Sequence, residues 1–244
     1  MAMDYEKMTD EELCELAFSL HEGSDGQEPD YDEAATVIKI AADRGSAAAL
    51  TDYGVYLMNG EGVEKDEAAA VECWKKAAQQ DFAPAQYKLG VCYTQGACGV
   101  EKDDALAAQY FVKAAEGGIA DAMFNLAIFY GNGIGVGIDG AKSMEYLEKA
   151  VALEQPAACY FLGSRLVTKE NRTEEETTRG ADLLQQSAEK GYPEAQFIYG
   201  MCCEEGRGVE KDLAEAAGWY RRAAKAGIPQ ANQALMHLGF PGIL

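Results

Sequence analysis

The chain has 244 residues, 48% of them hydrophobic, which is enough to bury a substantial core. Its 41 acids against 21 bases leave a net charge of −20, a field that repels phosphate backbones and anionic lipid headgroups. Nucleic-acid and membrane-surface partners are therefore disfavoured, and a basic partner, or plain solubility, is favoured.

The first stretch, MAMDYEKMTDEELCELAF, carries acids where a secretory leader needs a basic segment and then an apolar run. No window approaches the roughly 18 consecutive apolar residues of a membrane span. The expectation is a soluble, cytoplasmic protein. Residues 1–46 read as a divergent helical pair joined by EGSDGQEPDYDEAA.

From residue 47 a period takes over. The stretches AALTDYGVYLMNGEGV, PAQYKLGVCYTQGACGV, DAMFNLAIFYGNGIGV, PAACYFLGSRL and PEAQFIYGMCCEEGRGV place a small residue at Gly54, Gly90, Ala127, Gly163 and Gly200. The successive spacings are 36, 37, 36 and 37 residues, the range of a stacked-repeat array. The register reaches forward to Met236 and, more faintly, back to Ala17. Five units follow, at 47–82, 83–119, 120–155, 156–192 and 193–228, with 229–244 as a capping helix and tail.

Within a unit, small residues sit five and often seven positions before the central one, and an aromatic often sits three before it. These spacings share one side of a helix. A glycine ends that first helix (Gly60, Gly96, Gly131 or Gly206) by taking the left-handed conformation. A valine follows as a plug between helices (Val63, Val100, Val136, Val209). An aspartate then caps the second helix (Asp66, Asp103, Asp139, Asp212).

The second helices, such as AVECWKKAAQQ and AAGWYRRAAKAG, have paired alanines near their ends for close packing. They stop at Gly45, Gly117, Gly191 or Gly227. Proline recurs in the first turn of the next helix (Pro84, Pro156, Pro193, Pro229), where a missing amide hydrogen matters little. Such a hairpin cannot bury its apolar face alone, and stacked neighbours do so for one another. The near-identical heptads GEGVEKD (60–66) and GRGVEKD (206–212) are thus one loop seen twice, four periods apart. The unit at 156–192 lacks G-x-G-V, and its Thr173 and Glu176 form a capping-box pattern for a late-starting helix.

The string A-x-A-x-x-x-L-G-x-x-Y, then G-x-G-V-x-x-D, then W-Y-x-K-A-A-x-x-G resembles the Sel-one-like repeat family, relatives of the tetratricopeptide repeats. APAQYKLGVCYTQG and GRGVEKDLAEAAGWYRRAAKAG match it nearly position by position. The resemblance implies an all-α, right-handed superhelix (solenoid) of about six helix pairs plus a C-terminal capping helix, with first helices on the concave face. It also implies a non-enzymatic scaffold or adaptor. Some family members link the two helices of each unit by a disulfide. Here Cys92 and Cys202 share a register, but no partner recurs in the second helices, so free, buried or half-buried thiols are expected.

No catalytic, cofactor or metal-binding set is expected. The glycine-rich loops lack the GK followed by Ser or Thr of a phosphate-binding loop, and no strand precedes them. Asp25, Glu28, Asp30 and Asp32 lack the spacing of a calcium loop. The two histidines, His21 and His237, lie near opposite ends of the chain and cannot cooperate; either would need a Ser or Cys nearby to act as a base.

The remaining candidate is a groove. Given the family's orientation, positions three before, one after and four or five after the central small residue should face the concavity. They hold Tyr87 and Thr94, then Phe124 and Asn132, then Tyr160 and Ser164, and finally Phe197, Met201, Glu204 and Glu205. Rings among acids suit a protein or peptide carrying Lys or Arg. Two other readings stay open: a hydrolase using acidic groove residues, and an inhibitor masking a basic enzyme by charge.

Overall fold

In the computed structural model of the protein, residues 4–23 and 28–242 are described. Among them are thirteen α-helices and no strand, an all-α fold of the helical-repeat solenoid class. The chain divides into two compact units, residues 1–140 and 141–244. The first holds the helices α1 (Asp10–Glu22), α2 (Tyr31–Asp43), α3 (Ala47–Asn59), α4 (Glu67–Ala78), α5 (Ala83–Gln95), α6 (Asp104–Glu116) and α7 (Ala120–Asn132). The second holds α8 (Gly140–Ala152), α9 (Pro156–Thr168), α10 (Glu174–Glu189), α11 (Pro193–Glu205), α12 (Leu213–Lys225) and α13 (Pro229–His237). Odd-numbered helices up to α11 are the first helices of their repeats, and even-numbered ones the second.

Local chemistry sets the helix ends. Asp66, Asp103 and Asp212 each accept hydrogen bonds from backbone amides of the first turn they precede. Gly60, Gly96 and Gly206 close α3, α5 and α11 in the left-handed conformation. In the unit beginning at residue 120 that role falls to Gly133, with φ 72°, and not to Gly131. The helix α7 runs 13 residues, as α3, α5 and α11 do, so Gly131 lies inside it.

A second correction concerns α10. The capping box of Thr173 and Glu176 forms in both directions, but the helix starts early rather than late. It begins eleven residues after Gly163, whereas α4 and α12 begin thirteen after Gly54 and Gly200. Without G-x-G-V the loop is shorter, and residues that would form it join a 16-residue helix.

The central small residue has a packing reason. A Cβ on Gly54 would lie 2.4 Å from the Trp74 indole nitrogen, and on Gly90 or Gly200 it would lie 2.6 or 2.8 Å from the ring of Phe111 or Tyr220. Each glycine thus receives an aromatic from the second helix of its own pair. In the 156–192 unit two glycines meet instead, with Gly163 against the Gly180 carbonyl and Leu184.

The second glycine of G-x-G has a different reason. A Cβ on Gly62, Gly135 or Gly208 would strike the carbonyl oxygen of Tyr31, Asp104 or Thr177 at 1.9, 2.1 or 2.4 Å. The contacted residue lies 31 positions earlier in every case, in the first turn of the preceding second helix. Each such loop therefore rests on the repeat before it, and only glycine permits both that approach and the left-handed backbone.

Candidate functional site

Between α1 and α3 lies a cleft of about 250 Å³, lined by Cys14, Ala17, Phe18, His21 and Glu22 of α1, Ile38 of α2, and Asp52, Val55 and Tyr56 of α3. Between α5 and α7 lies another of about 220 Å³, lined by Tyr87, Val91, Thr94 and Gln95 of α5, Phe111 of α6, and Asn125 and Phe129 of α7. Counted from the central small residue, the two clefts share six wall positions and their floor, and the α1–α3 cleft adds Ala17 and Val55. One first helix contributes −3, +1, +4 and +5, the next contributes −2 and +2, and a buried second-helix side chain (Ile38 or Phe111) makes the floor.

The first of these sets is the one that the family's helix orientation implies, and in the α5–α7 cleft it brings Tyr87 and Thr94 together. The second set, Asp52, Tyr56, Asn125 and Phe129, was not anticipated. Those side chains reach the cleft because of how successive first helices cross, which a single helix's pattern does not contain. The α1–α3 cleft lies outside the expected groove, because residues 1–46 carry the repeat pattern only faintly.

The two clefts differ chemically. In the α1–α3 cleft Phe18 is 68% exposed, a large apolar ring on open display. Beside it Asp52 keeps solvent access, yet surrounding protein raises its carboxyl pKa, opposed by the positive charge of Lys88. The shift comes from desolvation and not from a second carboxylate. The His21 ring packs edge-on against Tyr31 and Tyr56, at 5.1 and 5.5 Å between centroids, and its buried Nδ1 has no protein hydrogen-bond partner. Burial pushes the Tyr56 hydroxyl up to about 12.

Cys14 and His21 line one cleft, seven residues apart on α1, so a thiol does lie near one histidine. Burial, then the charges of Asp52, Asp10 and Glu11, raise the Cys14 thiol, which is the opposite of an activated nucleophile.

The α5–α7 cleft has no carboxylate in its lining. Tyr87 is half-buried with its ring 5.9 Å from Phe111, and burial raises its hydroxyl. Thr94 donates its hydroxyl to the Gly90 carbonyl at 2.8 Å. On α7, Phe124 is half-buried and Asn132 is exposed at the last residue.

In the second unit, Tyr160 lies 5.1 Å from the Tyr192 ring and 5.8 Å from Phe161. Ser164 is half-buried, and its Oγ has no protein partner. Phe197 packs 5.6 Å from Tyr220, and Met201 is half-buried. Glu204 accepts the Tyr220 hydroxyl at 2.6 Å, and Glu205 pairs with Arg207, so both acids already have occupations inside the repeat. A wider hollow of about 720 Å³ between the 171–178 segment and the 206–210 loop mixes Arg172 and Arg207 with Glu174 and Glu210, and presents no single charge to a ligand.

Of the acids considered for calcium, Asp25 lies outside the described residues and Asp30 is committed as the N-cap of α2, accepting from the Glu33 amide at 3.0 Å. Among the described residues no three His, Cys, Asp or Glu side chains gather as a metal site, and no helix is long and apolar enough to cross a membrane.

Helix pairs stacked at a 36- to 37-residue period, with glycine-gated packing and clefts between first helices, define a helical-repeat protein of the tetratricopeptide-like class. The Sel1 repeat model matches residues 13–46, 47–82, 83–119, 120–154, 156–192 and 193–228, and the chain belongs to the Sel1 repeat family. Residues 13–46 are therefore a sixth repeat.

A Sel1 repeat protein from Oxalobacter formigenes shares 28% identity and superposes with a TM-score of 0.85 over 96% of this chain and 67% of that one. The mouse DAP3-binding cell death enhancer 1 is 39% identical over 71% of this chain, and the chitin synthase regulator SKT5 of Malassezia restricta is 25% identical over 77%. The chain spans 34% of the former and 10% of the latter.

Proposed function

We propose that the protein is a non-enzymatic interaction module that binds a segment of another protein on the side lined by its first helices. The segment carries an apolar side chain for the α1–α3 cleft and a Lys or Arg beside it. The observation that carries this reading is the pairing of exposed Phe18 with the partly desolvated carboxylate of Asp52 above an apolar floor. An anchor ring and an adjacent solvent-reachable acid are complementary to such a segment. The net charge of −20 would draw a basic partner in and make encounter rates sensitive to salt.

Two features favour binding over hydrolysis. The raised carboxylate owes its shift to burial and not to a paired acid, and the cleft's thiol is held protonated. Regulatory and binding roles are those carried in the names of the related chitin synthase regulator and DAP3-binding protein, and this chain is proposed to act in the same manner.

The test uses the full chain against an array of peptides varying in apolar and basic content, followed by titration of the strongest binders. Peptides with both features should bind, and Phe18→Ala and Asp52→Asn should each weaken them. Equal binding by acidic and basic peptides, or binding indifferent to both substitutions, would refute the proposal.

A further inference from the structure

Four fully described loops follow a glycine that closes a first helix in the left-handed conformation. In three of them the residue two positions later is Gly62, Gly135 or Gly208, seated on the preceding second helix. The fourth, after Gly96, has Cys98 at that position, followed by an additional Gly99. Cys98 also lies 31 residues beyond Glu67, the start of α4, so it occupies the seat position by both counts. Its backbone keeps the left-handed φ of 62° that the glycines have, although a Cβ there costs about 1–2 kcal/mol. Gly99 has open space around it, so it takes no seat of its own.

What the cysteine gains is a neighbour. Its Sγ lies 2.6 Å from that of Cys92 in the last turn of α5, within a fraction of an ångström of the roughly 2.05 Å of a sulfur–sulfur bond. Cys92 is buried and Cys98 is half-buried. A side chain that disfavours its own backbone conformation, placed by an added residue against a second thiol, has its explanation in chemistry between the two.

We propose that Cys92 and Cys98 form a reversible disulfide that clips the end of α5 to the loop leading into α6. The oxidant is a low-molecular-weight disulfide of the glutathione type. Cys98, the thiol within reach of solvent, loses its proton and attacks one sulfur of the reagent. The first small thiolate leaves with the bonding pair and takes up that proton. Cys92 then loses its proton and attacks the Cys98 sulfur of the mixed disulfide, and the second small thiolate leaves and is protonated in turn. Two protein thiols become one disulfide, and one small disulfide becomes two small thiols. Burial, and then the Cys98 thiol, push the Cys92 pKa well up, so Cys98 and not Cys92 makes the first attack. Thr94 and Gln95 lie between the two cysteines and line the α5–α7 cleft, so the clip would stiffen one wall of that cleft.

The test uses the full chain incubated with oxidised glutathione, denatured, treated with N-ethylmaleimide and digested with trypsin. One peptide, residues 89–102, carries both cysteines. It should be recovered without maleimide and two hydrogens lighter, and should accept two maleimides after reduction. The half-buried Cys73 serves as the internal control and should stay alkylated. Cys92→Ser should trap glutathione on Cys98. Cys98→Gly restores the residue of the other loops, should fold, and should leave Cys92 available to maleimide after denaturation. If Cys92 and Cys98 take up maleimide as fully as Cys73 after oxidation, or if wild-type protein accumulates a stable glutathione adduct on Cys98, the proposal fails.

Discussion

The cleft between α1 and α3 and the cleft between α5 and α7 have the same framework and different contents. Both stand over a buried second-helix side chain, Ile38 in one and Phe111 in the other. At −2 one has Asp52 and the other Asn125, and at +2 one has Tyr56 and the other Phe129. The repeat thus fixes where side chains arrive, while each unit's own letters decide what they recognise. Shared framework and private contents make separable claims, and each can be broken.

The largest effects should fall on the framework. Phe111→Ala removes a floor that is 1% exposed and should destabilise the protein by about 3–5 kcal/mol in urea denaturation, and Ile38→Ala by about 2–5. If one floor were tolerant and the other not, the clefts would not share a support. Next come the loop seats. Gly62 rests on the start of α2, which carries Ile38, and Gly135 on the start of α6, which carries Phe111. Alanine at either should cost more than about 1 kcal/mol, because the backbone conformation and the facing carbonyl both oppose it. Gly99→Ala meets open space and should cost less than either.

Exchanging contents should be milder. Asp52→Asn should lower affinity for a basic peptide about threefold, and Asn125→Asp should raise it by a similar factor at the other cleft, with both changes shrinking in high salt. Titration calorimetry at two ionic strengths would read this. Stability should move the other way at Asp52. Its folded pKa is raised, so the folded chain holds that proton more tightly than the unfolded chain does. This residue therefore favours folding more as pH falls through the carboxylate range, and Asp52→Asn should be neutral or mildly stabilising at neutral pH.

The smallest difference is at +2. The Tyr56 hydroxyl is raised from 10.0 to about 12, so above pH 10 the unfolded chain releases a proton that the folded chain keeps. Stability should fall as pH rises through that window, and Tyr56→Phe, which makes the position resemble Phe129, should flatten the decline in thermal melts.

Much of the fold was legible because its causes are local. Asp66, Asp103 and Asp212 cap helices by contacts with residues two or three positions away, and the prolines sit in first turns as expected. Errors arose where several local solutions competed. GNGIGVG offers glycine at every other position, and the six-residue spacing from the central small residue, which places Gly60, Gly96 and Gly206, selects Gly133 over Gly131 as the cap. At the site, the family's helix orientation pointed to Tyr87 and Thr94 on one wall of the α5–α7 cleft and to nothing in the α1–α3 cleft. The opposite wall depends on the crossing of neighbouring helices, and so Asp52, Tyr56, Asn125 and Phe129 were not visible. Glu204 and Glu205 looked available as letters, and the structure engages them with Tyr220 and Arg207. The meeting of Cys92 and Cys98 depends on a single added residue in a loop, a change too small for any pattern to flag.

The seat of the second loop glycine on a carbonyl 31 residues upstream bears on how such arrays grow. Duplicating one whole period delivers a new glycine to a new carbonyl, so the seam between old and new is indistinguishable from any other. Splicing a fragment between a carbonyl and its glycine shifts the two out of phase and leaves the joint unclosed. Lengthening by recombination is therefore quantised, and an engineer adding recognition clefts should copy in full periods and leave that 31-residue interval unbroken.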